Sequence, residues 1–527
     1  MGLISRLKNI LRKGGASLGM VKSLTNIVDD ERIAMPASEY ERIAVARRYY
    51  KDDLGKVKYK NSYSEEQSRE LASVNVTKMA ARRLASVIFN EQCTITADDK
   101  TANDLLEEVF ADNDFYNQYE DKLEEALALG GGAIRPYVVD DKIKLAWINA
   151  SQFYPLHTNT NEIKEAAVAS TTTRAENHQT VYYTLLEFHQ WTTNGDYQIT
   201  NELYRSESAS SVGLQVPLDT LDDYKGLSPK TTLNGLTAPL FAYFKTPGAN
   251  NKNLESPLGL GLVDNARKLI DAINTTHDQF VWEVKMGQRR VAVPAEMLRP
   301  NPNYGRKQIP DLRPAVFDAD ENVFVGMYGA EDMKITDLTS PIRTDQYQAT
   351  MNFFLEEFEN AIGLSQGTFT STPSGVQTAT EVVTNNSMTY QTRSSYLTQV
   401  QKQMESLVLA ILEVAGCGEL FSDGKPRYTG NFDDVEVNID FADGVFTDKT
   451  TQFTQDSQAV ALGVLSKKRF LMRNYSLDET TAEKWLEESM TEQPEAPLPD
   501  YQEPGAKDEP GSKDKPEPRE EPDNQQE

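Results

Sequence analysis

The sequence contains little cysteine, little histidine and no long apolar run. Two cysteines, Cys93 and Cys417, stand among 527 residues, which is too few for a disulfide framework and fits a reducing compartment. Each is expected to be a small buried thiol. The apolar run at residues 407–412 has six residues, whereas a membrane-spanning helix needs about 20. The sequence therefore predicts neither a disulfide-stapled domain nor a membrane-spanning helix.

Four histidines are scattered along the chain, at His157, His178, His189 and His277. None of them has the spacing of a metal-ligand motif such as H-E-x-x-H. No G-x-S-x-G or Walker A signature occurs, and the glycine triplet at residues 130–132 is not a phosphate loop because no Lys-Ser or Lys-Thr follows it. Only carboxylate chemistry stays open, among 80 acidic residues. We therefore predict no enzyme activity, no catalytic residue, no metal site and no cofactor.

The charge balance is acidic and the two ends of the chain stand out. The sequence has 54 basic and 80 acidic residues, a net charge of −26, and no segment approaches the basic balance of a dedicated DNA-binding protein. Residues 2–13 show the pattern of a basic amphipathic helix. Such a helix lies on a membrane surface or, as we favour, forms an arm that orders only against a partner subunit or stays frayed. Residues 491–527 hold eight of the 24 prolines, with 12 acidic and four basic residues. We predict that this tail is disordered.

The centre of the chain predicts two long helices around a compact middle segment. Each helix is expected to open at a Ser-Pro dipeptide, at Ser256 and at Ser340, because Ser caps a helix well and Pro fits its first position. Their ends are expected near Met286 and Ile362. Apolar residues recur every three or four positions, which keeps one narrow stripe along each helix. The stripe positions expected to pack the helices are Val263, Ile270, Ile273, Phe280, Met351, Leu355 and Phe358.

A loop without charged residues follows the second helix. Residues 363–377 contain three glycines and one proline, so they cannot continue a helix. A capping box from Thr378 to Glu381 then predicts a third helix that reaches about Ala415. The first half of this helix is polar on many sides, whereas its second half carries apolar residues at helical spacing. We expect the second half to be buried.

Helices and antiparallel hairpins are expected in the first 250 residues. Two helices are predicted, over residues 65–90 and 105–129. The second ends at the glycine triplet, where Gly stops a helix without strain and the chain reverses. Two hairpins are predicted, over residues 134–148 and 180–205. Their turns are expected at Asp140-Asp141 and at Asn194-Gly195, the dipeptide that type I′ turns favour.

Short β segments are expected between the two long helices, and short helices near the C terminus. The β segments are predicted at residues 290–294, 315–318 and 322–327, in a small α/β module. This module carries a basic cluster, namely Arg299, Arg306, Lys307 and Arg313. Two interpretations explain the cluster equally well. In one it contacts a DNA backbone or an acidic partner, and in the other it is part of a solvated loop. The last elements are predicted as a strand at 435–441 and helices at 448–462, 466–473 and up to about residue 490.

The order of these motifs resembles the portal proteins of long-tailed bacteriophages, especially those that infect Gram-positive hosts. The resemblance is carried by GLSQGTF at residues 363–369, TATEV at 378–382, LALGGGAI at 127–134 and the start of the first long helix at 257–271. It extends over most of residues 25–490 in the same order. We expect membership of this family on that order and spacing.

The resemblance implies an α+β portal-protein fold. Its expected parts are an N-terminal amphipathic arm (1–24), a wing (25–255), stem helix 1 (256–288), a small α/β clip (289–335), stem helix 2 (336–363), a tunnel loop with a long wing helix and strand (364–440), a helical crown (441–490), and a disordered acidic, Pro-rich tail (491–527).

The resemblance also implies a function. Such proteins form a ring, usually of twelve subunits, at one capsid vertex, which nucleates procapsid assembly and passes DNA during packaging and ejection. The expected partners are other copies of the chain, double-stranded DNA in transient non-specific contact, the terminase large subunit, major capsid and scaffolding proteins, and a head-completion or connector protein, with no membrane. The expected location is the virion, and the host cytoplasm during assembly.

The tunnel loop of the family projects into the channel. In this chain the matching positions are Ser365, Gln366, Thr368, Phe369, Thr370, Ser371, Thr372, Ser374 and Gln377. An uncharged loop suits sliding DNA, because each Lys or Arg that displaces counterions strengthens phosphate binding. The basic cluster at residues 299–313 is expected to contact terminase, a connector or DNA. The alternatives are another minor head protein, a metal-dependent nuclease or hydrolase, and a peripheral membrane protein that uses residues 2–13.

Overall fold

The computed structural model describes residues 22–60, 64–90, 93–156, 162–287, 291–294, 324–327, 336–337, 339–370, 387–432, 435–441, 449–475, 477 and 479–491. The chain divides into two compact units, residues 1–446 and residues 447–527. The N-terminal arm, most of the segment that carries the basic cluster, and the acidic tail lie outside the described residues. In the described part of the chain, no helix is both long enough and apolar enough to span a membrane.

The larger unit mixes helices with sheets, as predicted for an α+β protein. Its helices are α1 (Ala37–Tyr50), α2 (Val76–Ile88), α3 (Lys100–Asp112), α4 (Phe115–Leu129), α5 (Leu262–Met286), α6 (Thr344–Ile362) and α7 (Ser387–Gly416). Its strands are β1 (Ser23–Leu24), β2 (Lys56–Lys60), β3 (Glu66–Glu70), β4 (Thr94–Ala97), β5 (Gly131–Val139), β6 (Lys142–Asn149), β7 (Phe153–Pro155), β8 (Ala166–Glu176), β9 (Gln179–Trp191), β10 (Tyr197–Ser206), β11 (Gly213–Val216), β12 (Lys230–Leu233), β13 (Ala242–Lys245), β14 (Val291–Pro294), β15 (Phe324–Met327), β16 (Thr336–Asp337) and β17 (Val437–Asp440).

The largest sheet has seven antiparallel strands, in the order β1-β11-β10-β9-β8-β7, with β12 also paired to β10. A second sheet joins β13, β5 and β6, and a third joins β15, β14 and β16. Two further strand pairs lie in the described residues, β2 with β3 and β17 with β4. The β17–β4 pairing brings residues 437–440 back to residues 94–97, so the chain after α7 returns to the first part of the unit.

Both predicted hairpins form. Asp140 and Asp141 have φ angles of 51° and 60°, as a type I′ turn requires at its two central positions. The type I′ prediction at Asn194-Gly195 is wrong, because only Gly195 of the two has a positive φ, of 89°. The backbone N–H of Thr192 donates to the Asp196 carbonyl, and the N–H of Asp196 donates to Thr192 Oγ1 at 3.1 Å. These bonds close a three-residue loop with a left-handed glycine.

The two helices predicted upstream are each interrupted. Residues 66–70 form β3 and not the start of a helix, because they pair with β2 and set Glu66 and Glu70 opposite lysines. The helix predicted over 105–129 breaks at Asp114, which has a φ of 48°. Asn113 explains this break, since its Nδ2 donates to the Ile143 carbonyl at 3.0 Å and its Oδ1 accepts from the Leu145 N–H at 3.0 Å. The side chain of Asn113 thus joins the helix pair to β6.

The main core lies where α4 and the second half of α7 pack on the sheet of β13, β5 and β6. Phe89 and Tyr119 contact each other with ring centroids 4.5 Å apart. The predicted burial of the second half of α7 is confirmed by Val400, Met404, Leu407, Val408 and Ile411, each exposed by 1% or less. Complete burial of such a side chain stabilises a fold by roughly 1.5–3 kcal/mol. This core holds the three long helices α5, α6 and α7 in place.

The C-terminal unit consists of three short helices in its described part. They are α8 (Lys449–Ala461), α9 (Lys467–Tyr475) and α10 (Glu479–Thr491). The predicted helices in this region are confirmed within one or two residues. Aromatic contacts join them, with Phe453 and Phe470 ring centroids 5.4 Å apart and Tyr475 and Trp485 centroids 6.1 Å apart.

Candidate functional site

The two long helices of the centre begin later than predicted. Helix α5 starts at Leu262 and not at Ser256, because the Ser256 hydroxyl donates to Glu39 Oε2 at 3.2 Å instead of capping a helix. Gly261 is the N-cap, and its N–H donates to Asp264 Oδ2 at 2.7 Å. Helix α6 starts at Thr344 and not after Ser340. The predicted ends at Met286 and Ile362 are confirmed.

Helices α5 and α6 pack against each other, and their contact continues to the C-terminal end of α5. Phe280 and Tyr347 have ring centroids 5.2 Å apart. Arg343 Nε lies 3.0 Å from Glu283 Oε1, and Arg343 Nη2 lies 2.5 Å from Glu283 Oε2. These hydrogen bonds from Arg343 lower the pKa of Glu283 to about 2. A two-pronged ion pair therefore closes the helix pair where the chain leaves α5.

The stripe residues lie on the inner side of both helices. Val263, Ile270, Ile273 and Phe358 are buried, whereas Phe280, Met351 and Leu355 are half-buried. The buried members belong to the main core of the larger unit. The structure thus brings all seven residues to the packed side of the helices, with burial greatest in the first half of α5 and the last turn of α6.

A second face of α5 carries a row of aspartates that the sequence analysis did not single out. Asp264, Asp271 and Asp278 are spaced by seven residues, nearly two turns, so they share one face. Each is bonded by a residue from the first 70 positions: Arg42 with Asp264, Tyr49 with Asp271, and Arg69 with Asp278. The hydrogen bond from Arg69 lowers the pKa of Asp278, whereas burial raises the pKa of Asp264. The repeat D-x₆-D-x₆-D was the signal for this row.

A three-stranded sheet lies between the two helices along the chain. Strand β14 pairs in parallel with β15 and antiparallel with β16. The strands predicted at 290–294 and 322–327 are confirmed, and β16 was not predicted. The strand predicted at 315–318 and the basic residues Arg299, Arg306, Lys307 and Arg313 lie outside the described residues. The chain order is therefore helix, small sheet, helix.

The first half of the uncharged loop forms a compact turn at the end of α6. Gly363 ends the helix with a φ of 76°, and Leu364 is fully buried. The Ser365 N–H donates to Thr389 Oγ1 at 2.8 Å, and the Thr389 N–H donates to Ser365 Oγ at 3.2 Å. Gln366 is exposed. The remaining loop candidates Ser371, Thr372, Ser374 and Gln377, and the capping box at 378–381, lie outside the described residues.

A buried carboxylate organises this turn. Glu359 is fully buried, and it accepts hydrogen bonds from the backbone N–H groups of Gly367, Phe369 and Thr370 at 3.1, 2.5 and 3.2 Å. Phe369 packs near Phe358, with ring centroids 6.1 Å apart. Sequence patterns did not single out Glu359, because an acidic residue on an amphipathic helix is ordinarily assigned to its solvated face.

Of the described histidines, His189 and His277 are hydrogen-bonded within the fold and His178 is exposed. His189 Nε2 lies 2.6 Å from Glu187 Oε1, and His189 Nδ1 lies 2.9 Å from Tyr197 Oη. Cys93 is buried as predicted, whereas Cys417 is only half-buried. Burial raises the pKa of Cys417 to about 11. Among the described residues, no group of three or more His, Cys, Asp or Glu side chains is placed to hold a metal ion.

Comparison with known proteins assigns the family. A family model described as phage portal protein, SPP1 Gp6-like, matches residues 31–495. Two similar solved chains come from the virion of a native gene transfer agent particle and from the neck of an empty gene transfer agent particle, computed with C6 symmetry. Each is 11% identical, with a TM-score of 0.37, and the match covers 76% of this chain and 88% of the other. A comparison with curated proteins gives no match. Because the family model spans most of the sequence, the chain belongs to the SPP1 Gp6-like family of phage portal proteins.

Proposed function

We propose that this protein assembles into a ring of twelve copies at one vertex of a phage capsid, where it forms the channel for DNA packaging and ejection. The observation that carries the proposal is the helix–sheet–helix arrangement of α5, the sheet of β14 to β16, and α6, in a chain of the portal family. The ion pair between Glu283 and Arg343 joins the ends of the two helices next to the sheet. A hairpin of helices with a small sheet at its end suits a stem and clip.

We assign the parts of the subunit by the resemblance to the portal family. On this proposal residues 25–255 and part of 364–440 form the wing, and residues 441–490 form the crown. The stem comprises α5 and α6, which lie within the segments 256–288 and 336–363, and the clip lies between them at 289–335. We assign the protein a structural role and not a catalytic one. The clip, with its basic cluster at 299–313, is the surface that terminase and later a connector protein contact.

The channel role rests on charge. The chain has a net charge of −26. Each Lys or Arg that contacts a DNA phosphate strengthens the binding of a protein to DNA. An uncharged loop at residues 363–377 touches a moving duplex without trapping it. Capsid and scaffolding proteins are the partners of the ring during procapsid assembly, in the host cytoplasm.

The mass of the assembled protein tests the proposal. Native mass spectrometry of the purified protein, with negative-stain images of the same sample, is expected to show a ring of twelve subunits with an axial hole. Incubation with the phage's scaffolding and capsid proteins provides the second condition, because ring closure in some assemblies requires a partner. A monomer under both conditions would refute the ring.

A loop deletion tests the channel role separately. Removal of residues 371–377 is expected to leave the ring intact and to reduce packaged DNA. Normal packaging by deleted rings would refute the assignment of the loop, and it would leave the ring itself unaffected.

A further inference from the structure

The C-terminal unit buries little of its own apolar surface. Among the side chains described there, Asp456 and Ala482 are buried, and no residue of α9 is. The three helices have 13, 9 and 13 residues, and helices of this length are marginal in water without tertiary packing. Small folding units that lack a core are usually stabilised by oligomerisation, metals or disulfides. The unit therefore requires a partner surface to cover its apolar side chains.

A cluster of four aromatic rings lies half-exposed on this unit. Besides the two contacts given above, Phe453 and Tyr475 have ring centroids 6.5 Å apart, and Phe470 and Tyr475 have centroids 6.4 Å apart. Phe453, Tyr475 and Trp485 nevertheless remain 43%, 50% and 45% exposed. Aromatic side chains bury large areas and dominate the energetics of interfaces. Because contiguous exposed apolar surface marks a site of interaction, this aromatic cluster is a docking surface for an apolar partner.

Two aliphatic side chains are held outward at the C-terminal end of α8. The Val464 N–H donates to the Ala459 carbonyl at 2.9 Å, and the Gly463 N–H donates to the Val460 carbonyl at 3.0 Å. With a φ of 72° at Gly463, these bonds form a Schellman motif, which fixes the turn. Leu462 and Val464 are 79% and 83% exposed. The turn at residues 462–464 therefore presents two apolar side chains that the described residues leave uncovered.

The charges beside the turn and beside the aromatic cluster are opposite. Helix α9, which follows the turn, has four basic residues and no acidic one, whereas α10 has four acidic residues and one basic. One ion pair joins α9 to α10 within the unit, and Lys467 and Arg469 are exposed on α9. Glu488 is exposed one turn after Trp485, so the two share a face of α10. One surface is thus aliphatic and basic, and the other is aromatic and acidic.

We propose that the turn at residues 462–464 of one copy docks on the aromatic cluster of the next copy, with α9 beside the acidic face of α10. The proposal rests on the ring proposed above, and it gives the C-terminal units a ring contact of their own. The two surfaces differ and belong to one unit, so the contact is head-to-tail, the kind that repeats from copy to copy and closes into a ring. A small contact suffices, because copies already held in a ring meet at a high effective concentration.

Chemical linking in mixed rings tests the contact. Copies with Val464→Cys and copies with Ser489→Cys, one turn after Trp485, are assembled into the same rings and treated with a short thiol-to-thiol linker. Linked dimers are expected in mixed rings and not in rings of either variant alone, because the contact joins unlike surfaces. The matched control replaces Ser489→Cys by Glu487→Cys, an exposed position on the side of α10 away from Trp485. It is expected to give far fewer dimers, and Cys417 is present equally in every sample.

Charge reversal tests the same contact by a second route. Arg469→Glu, added to the copies with Val464→Cys, is expected to lower the yield of linked dimers by about threefold, as the loss of an exposed ion pair does. Glu488→Arg, added to the copies with Ser489→Cys, is expected to restore the yield. A yield that neither reversal changes would contradict the pairing of α9 with α10.

The linking results separate this proposal from the ring itself. Mixed rings of normal mass without linked dimers would overturn the contact and leave the ring unaffected. Equal yields from Ser489→Cys and Glu487→Cys, or dimers in rings of Val464→Cys alone, would also overturn it, because neither result fits a head-to-tail contact at the aromatic cluster. If no ring forms from the wild-type protein, the proposed ring fails, and with it the contact that depends on it.

Discussion

Arg69 on β3 and Asp278 on α5 form a two-pronged ion pair, in which Nη2 lies 2.6 Å from Oδ2 and Nη1 bonds Oδ1. Asp278 Oδ1 also accepts the backbone N–H of Ala72 at 2.9 Å. The equivalent pairs along α5 are Tyr49 with Asp271 and Arg42 with Asp264. The N-terminal segments are therefore attached to one face of α5 by polar contacts at a seven-residue spacing.

We predict that Asp278→Asn lowers the free energy of unfolding by about 1–3 kcal/mol, because it weakens charged hydrogen bonds to Arg69 and to a backbone N–H in a partly buried site. Urea unfolding at one fixed protein concentration measures the change. Asp104→Asn is the control, since Asp104 is exposed on α3, and it is expected to shift the free energy by no more than about 0.5 kcal/mol. Equal effects of the two variants would show that the contact between Arg69 and Asp278 contributes nothing to the free energy of unfolding.

The ion pair between Glu283 and Arg343 is expected to make the stability of the fold depend on pH. The hydrogen bonds from Arg343 lower the pKa of Glu283 from its ordinary 4.5 to about 2. Because the folded pKa is the lower one, ionised Glu283 stabilises the fold above about pH 4.5, and this contribution is lost as the pH falls through 2. Glu283→Gln is expected to melt below the wild type at pH 7, with a difference that narrows between pH 4.5 and 2.

Melting temperatures measured across that pH range check the prediction for Glu283. The control Glu357→Gln lies on the partner helix α6 at an exposed position, and it is expected to follow the wild type throughout. A difference between Glu283→Gln and the wild type that stays constant with pH would contradict the assigned pKa.

Local signals predicted the elements whose geometry depends on neighbouring residues alone. The Asp140-Asp141 turn, the ends of α5 and α6 and the buried second half of α7 all follow from turn chemistry and from periodicity. In these places the tertiary structure agrees with the preference of the segment itself. The family resemblance was likewise carried by short motifs in a fixed order.

Distant contacts account for the predictions that failed. Ser256 has the side chain of an N-cap, but Glu39, 217 residues earlier, takes its hydroxyl. Asp114 interrupts a helical pattern because Asn113 bonds β6. The sequence pattern of α6 assigns Glu359 to a solvent-facing position, but in the structure the following loop covers its carboxylate. For Ser256 and Asn113 the partner lies far away along the sequence, whereas for Glu359 it lies in the loop that follows the same helix.

A buried carboxylate on α7 gives a further prediction. Glu413 is 2% exposed, and its Oε1 accepts from the Thr237 N–H and hydroxyl, both at 2.7 Å, and from the Ala238 N–H at 3.2 Å. Glu413→Gln is expected to cost about 1–3 kcal/mol of unfolding free energy, because charged hydrogen bonds to two backbone donors are weakened. The exposed Glu405 on the same helix provides the control variant Glu405→Gln. A loss confined to Glu413→Gln supports the assignment, and equal stability of the two variants contradicts it.

Gly130 ends α4 at the point where the segment before α5 approaches most closely. Its φ is 97°, and an added Cβ would lie 2.5 Å from the Gly259 carbonyl oxygen and 2.8 Å from the Gly261 nitrogen. Gly248 has a nearly equal φ of 99° with no atom within 4 Å of such a Cβ. Gly248→Ala is therefore expected to show only the left-handed backbone cost of about 1–2 kcal/mol. Gly130→Ala is expected to lose at least about 1–3 kcal/mol more, because backbone atoms cannot move aside as a side chain does. Thermal unfolding of both variants measures the difference. Equal losses of unfolding free energy would contradict a close contact between Gly130 and residues 259–261.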